Sequence, residues 1–127
     1  MNYESFISPK DIKIGSRTFA VSRIPAFYAQ QNVYPAVVES TKSLGIFGVT
    51  MLPMSVVVKM LSFSAVRQED GKWRELDSED IINRTFPDIA DMHALLIRQA
   101  KENFGFLFDG RLLAVLGEEA EGMESAS

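Results

Sequence analysis

The chain has no cysteine. That removes disulfide frameworks, thiol nucleophiles and Cys-ligated zinc sites from consideration. It has one histidine, His93, with Asp88 and Asp91 nearby but no second imidazole, so a surface or boundary position on a helix is the favoured reading over metal or acid–base work. The carboxylate pairs Glu79/Asp80 and Asp88/Asp91 stand at helix starts, where the macrodipole already explains them. No phosphate-binding glycine loop and no serine nucleophile elbow occurs. No catalytic residue, cofactor site or metal site is therefore expected, and the chain does not read as an enzyme.

An excess of positive charge is also missing. The net charge is −4, and Glu118, Glu119, Glu121 and Glu124 in the last ten residues account for it, leaving a neutral body. A neutral body lacks the basic footprint that phosphate neutralisation needs, so nucleic acid is not an expected partner. The opening M-N-Y-E-S-F has no basic segment ahead of an apolar one, so no secretory signal is expected there. Residues 45–66 have the length of a membrane span with Lys59 as the only charge. Pro53, two glycines, three serines and the central Lys59 argue instead for a buried helix entered from an apolar loop, and no membrane partner is expected.

What the chain does have is 46% hydrophobic residues in 127, enough for one core without staples. The spacing predicts a single domain over 1–117 and an acidic, flexible tail over 118–127. Asp11-Ile12-Lys13-Ile14 alternates as a half-buried strand, Gly15-Ser16-Arg17 supplies a turn, and Phe19 and Val21 share a face of the returning strand. Such a ribbon needs an apolar surface to dock on, here expected to be the following helices. Pro25 opens a helix to Asn32, and Pro35 breaks it and starts another turn through Val37 and Ser40. Leu44 to Val49 is glycine-interrupted, apolar and without a clear assignment.

A strong helix is expected from Met54 to Val66, then a polar hairpin turning at Asp70-Gly71 and sitting at the surface. Asp77 or Ser78 caps the next helix, which ends before Pro87. The longest helix runs from Pro87-Asp88 to Asn103, with Ile89, Met92, Leu96 and Ala100 on one stripe widened by Leu95 and Ile97, and with Gly105 as its C-cap. A short apolar helix is expected over 111–116. The fold class is thus α+β, predominantly α-helical: an N-terminal β-hairpin, about five helices, and a small polar β-hairpin near Asp70-Gly71. Most of the aromatics must be core. The apolar loop exceeds what loops usually carry, and exposed apolar patches mark contacts. Tyr34, Val37, Leu44, Ile46, Phe47, Val49, Met51 and Trp73 are the candidates for partner binding or self-association.

The order of parts carries a resemblance. A strand ending F-A-V-S-R-I-P-A-F-Y-A leads into a helix; a central segment ends S-F-S-A-V; then comes R-E-L-D-S-E-D-I-I-N-R-T-F-P-D-I-A-D-M-H-A-L-L-I-R-Q-A-K-E-N-F-G-F-L-F. In this order and spacing, from Phe19 to Phe108, the chain resembles the tail assembly chaperones of long-tailed bacteriophages; Asn32 to Pro53 is the variable stretch. The resemblance implies a small helical viral or prophage protein that binds the tape measure protein, and with it the tail tube protein. It also implies self-association into a spiral or ring, residence in the host bacterial cytoplasm, and absence from the mature virion. A longer form made by frameshifting is common in that family. The alternative is a structural tail component, such as a tail-tube or completion protein.

Overall fold

A computed structural model describes residues 11–108. The expected helix over 111–116 and the tail over 118–127 lie outside the described residues. The chain forms an α+β fold dominated by helices, around one four-stranded antiparallel sheet of order β1-β2-β3-β4. Strand β1 (Ile12–Ile14) turns into β2 (Arg17–Val21), with Ile12 opposite Phe19 and Ile14 opposite Arg17. Gly15 takes φ +61° while Ser16 does not adopt a positive φ, the sign pattern of a type II′ hairpin turn, whose twist matches that of the strands.

Helices α1 (Ala26–Asn32) and α2 (Tyr34–Thr41) follow. Pro25 is the residue before α1 rather than its first member, and Pro35 sits in the first turn of α2, where a missing N–H costs nothing. Residues Gly45–Met51 wind as a 3₁₀ segment, and α3 (Met54–Leu61) leads into β3 (Ser64–Arg67) and β4 (Trp73–Glu75). Helices α4 (Glu79–Thr85) and α5 (Ile89–Phe104) complete the order, with a 3₁₀ turn at Gly105–Leu107.

The two hairpins are one sheet, which corrects three expectations. The helix expected from Met54 to Val66 stops at Leu61, and Ser64-Ala65-Val66 are strand residues paired with Val21, Ala20 and Phe19. The N-terminal ribbon therefore completes its backbone bonds against β3 rather than only docking on helices. The second hairpin is not simply a polar surface feature, because all of Ser64, Ala65 and Val66 are buried. Its turn is a three-residue loop, Glu69 to Gly71, closed by Gly71 N–H to Gln68 O at 2.9 Å with Gly71 at φ +84°. This is a type I turn followed by a left-handed residue, the usual three-residue hairpin.

The helix starts follow their caps. The Ser78 hydroxyl accepts from Ile81 N–H at 3.3 Å, and the Asp88 carboxylate accepts from Ala90 N–H at 2.9 Å. Glu79, Asp80 and Asp91 then lie in first turns, complementing the dipoles. Gly105 is not a left-handed cap: its φ is −55°, and the chain tightens into the 3₁₀ turn instead.

Helix α5 ties the molecule together, touching β1, the 3₁₀ segment and α3. Its buried stripe is Leu95, Leu96, Gln99, Ala100 and Phe104, so the expected stripe gains a glutamine and loses Ile89, which is exposed. Gln99 on α5 accepts from the Ser64 hydroxyl of the sheet at 3.0 Å, while its Nε2 has no hydrogen-bond partner among the described residues. On the same sheet face Phe19 stacks on Phe86 with ring centroids 5.3 Å apart.

The Asn103 side chain joins two distant parts of the chain. Its Oδ1 accepts from Ile24 N–H at 2.9 Å, holding the corner after β2, and its Nδ2 donates to Gln99 O at 3.1 Å. Segments 79 residues apart in sequence are thereby fixed to each other.

Candidate functional site

The apolar stretch after α2 is shaped by two glycines. Gly45 sits at φ +58° with open space around it, a conformation that an L side chain resists. Gly48 is required by approach instead: a Cβ there would stand 2.9 Å from Thr41 Cα and would overlap the Ser40 carbonyl oxygen. The 3₁₀ segment thus lies directly against the end of α2, its inner side filled by Gly48 and Val49.

Leu44, Phe47 and Thr50 fall on one row, because side chains at i and i+3 eclipse in a 3₁₀ helix. Leu44 is exposed and Phe47 is 64% exposed, and the Thr50 hydroxyl donates to Phe47 O at 2.8 Å. Met51 follows at 71% exposure. Thr50 also lines a groove of about 300 Å³ whose walls are α3, α4 and α5. Met54, Val57, Ile82, Ile89, Met92 and Leu96 give that groove its apolar character, with Met54 and Ile89 on its rim at 61% and 65% exposure. Among the described residues Glu79 is its one charged lining side chain; Thr50, Asn83 and His93 are the other polar groups.

The sequence-derived candidates separate into groups. Leu44, Phe47 and Met51 are exposed on or beside the 3₁₀ segment, which reaches the groove through Thr50, and Ile46 is half-buried against the core. Val37 and Val49 are fully buried core residues, a correction to their place among surface candidates. Helical packing brings Val37 inward on α2, and the three-residue period brings Val49 inward on the segment that packs against it. Tyr34 is half-buried in an aromatic group with Phe104 and Phe106, at ring distances of 5.9 and 6.1 Å, lining a different hollow beside the start of α1. Trp73 lies on β4 with the Arg67 guanidinium 5.6 Å from its ring centre.

By sequence Ile89 falls on the core stripe of its helix and Met54 simply opens another, so neither stands out as a surface residue. Both are the first residues of their helices. Side chains tilt toward a helix N-terminus, so at the first position they project past the packed end. That positional signal was available in the Pro53 and Asp88 caps.

Other concave places offer less. A wide polar hollow of about 760 Å³ between the hairpin tips mixes Arg17 and Arg67 with Glu69 and Asp70, and Arg67 is already paired with Asp11 at 3.3 Å. Among the described residues no three His, Asp or Glu side chains gather as a metal site, and no helix is long and apolar enough to cross a membrane. The comparisons add no relative: no protein-family model, curated protein or solved structure matches the chain. The site is therefore defined by its geometry alone: an apolar groove, its exposed rim, and the adjoining 3₁₀ row.

Proposed function

We propose that the chain is a tail assembly chaperone of a long-tailed bacteriophage. It is a non-enzymatic protein of the host cytoplasm that binds the tape measure protein, keeps it soluble while the tail tube forms, and is absent from the mature virion. The observation that carries this reading is the pair of exposed apolar side chains Met54 and Ile89 on one groove, with Phe47 and Met51 also exposed on the 3₁₀ segment whose Thr50 lines it, on a domain whose core closes without them. Large apolar groups kept in water at one place cost solubility and mark a contact surface. A long hydrophobic helical chain offers the complementary face, through the helix-in-groove mode. Several copies on one such chain would form the spiral or ring that the family resemblance implies, with the tail tube protein as a further partner.

Co-expression tests it. The tape measure protein, insoluble alone, should appear in a soluble complex that co-elutes with this chain on gel filtration; an insoluble tape measure with no complex defeats the proposal. Mass spectrometry of mature particles should not find the chain, whereas many copies there would make it a structural tail component.

A further inference from the structure

We propose that the groove between α3, α4 and α5 is the seat of one amphipathic α-helix of the partner, with a stripe of aliphatic side chains and a lysine or arginine on the flank that meets Glu79. This deepens the chaperone reading and rests on it for the identity of the natural partner.

Volume sets how much of a helix can enter. About 300 Å³ holds roughly ten carbon-sized groups at ~30 Å³ each, or two to three leucine side chains. That is the load presented by positions i, i+3 or i+4, and i+7 of a single helix. The walls are helices, whose backbone groups are spent on their own ladders, so an extended peptide would find no strand edge to pair with there. A helix satisfies its own backbone and needs only the apolar side chains of Met54, Val57, Ile89 and Met92.

Charge sets the flank. Glu79 is the only charged side chain lining the groove and has no ion-pair partner among the described residues, whereas Asp80 beside it is already held by Arg84 at 3.1 Å. A basic residue on the incoming helix would face a free carboxylate, and an acidic one would be repelled. A second copy of the chain is a poorer occupant, because the described α-helices turn their apolar stripes into their own core, leaving one large apolar side chain exposed on each of α1, α3 and α5, Phe27, Met54 and Ile89, rather than a stripe that could be inserted.

The probes are three synthetic peptides of about 18 residues, long enough to hold helix in solution. One has a leucine stripe at i, i+3, i+4 and i+7 with lysine flanks, one has the same stripe with glutamate flanks, and one has the lysine composition with the stripe scrambled. Affinity is read by fluorescence anisotropy and the site by methyl NMR. The lysine-flanked peptide should bind best and shift the methyls of Met54, Val57, Ile89 and Met92. Ile89→Glu, at an exposed position that does not threaten folding, should weaken it roughly tenfold or more. Glu79→Lys should reverse the order of the lysine and glutamate peptides, by a few-fold for each, as befits an exposed pair. Phe27→Glu, outside the groove, should leave affinity unchanged.

Equal binding of the scrambled peptide, shifts that map elsewhere, or indifference to Glu79→Lys each overturn the proposal. So does sedimentation showing a wild-type dimer that Ile89→Glu converts to monomer, which would make a second copy the occupant. The two readings fail separately: groove binding of the peptide with no tape measure complex defeats the phage assignment alone, and a tape measure complex unaffected by Ile89→Glu defeats the groove alone.

Discussion

Asn103 shows how one side chain can hold a fold. It satisfies Ile24 N–H at the corner after β2 while anchored to its own helix through Gln99 O. Asn103→Leu leaves that N–H unpaired in a partly buried place, and should cost about 1–3 kcal/mol by urea denaturation. Asn103→Asp keeps the accepting oxygen and should cost less; equal losses would show that the Ile24 bond is not what matters. Ser64 and Gln99 form a second polar pair, both fully buried, and Gln99 Nε2 is unpartnered among the described residues. Ser64→Ala strands the remaining Gln99 oxygen and should cost about 1–3 kcal/mol. The double variant Ser64→Ala/Gln99→Met removes both polar partners and should recover most of that loss, because a core side chain of similar size without orphaned groups packs at little cost. A double-mutant cycle that comes out additive would contradict the coupling. Neither bond could be read from the sequence, since nothing in N-F-G or Q-A-K states which distant N–H or hydroxyl lies opposite.

At the scale of elements, caps and breakers were legible and strand pairing was not. Pro25, Pro35, Ser78 and Asp88 mark helix starts through local chemistry, and the structure places the starts within a residue of them. Ser64-Ala65-Val66 carries no such signal: three small or β-branched residues after a helix become strand only because β2 offers a ladder. The 3₁₀ segment depends on Gly48. Gly48→Ala should destabilise by at least about 2 kcal/mol in a thermal or urea melt, because backbone of α2 rather than a movable side chain stands in the way. A near-neutral result would mean that the segment can swing off α2. Phe47→Asp acts on the outer side of the same segment. It should leave the helical circular-dichroism signal and stability nearly unchanged while abolishing the tape measure complex; a lost helical signal would place Phe47 in the core instead. Of the eight surface candidates, Leu44, Phe47 and Met51 are exposed, and Val37 and Val49 belong inside. Composition could name the segment as apolar, but only its 3₁₀ winding sorts inner from outer residues.

In the whole molecule, a sheet built from both hairpins and crossed by α5 leaves little room for independent parts. Trp73, the single tryptophan, reports on β4, and far-ultraviolet circular dichroism reports chiefly on the helices. The two signals should fall together at one urea midpoint, and separated transitions would show the sheet and helices to be distinct folding units. Apolar periodicity, the capping and breaking residues and the turn residues determined by themselves an α+β, mostly helical chain with hairpins near Gly15 and Gly71. Those properties act through local chemistry, over spans of a few residues. Tertiary structure alone decided that the hairpins join into one sheet, that Gln99 lies in the core, and that Met54 and Ile89 meet across a groove between three helices. Each of those depends on which surfaces a distant segment covers, and burial is a property of the packed pair rather than of either residue.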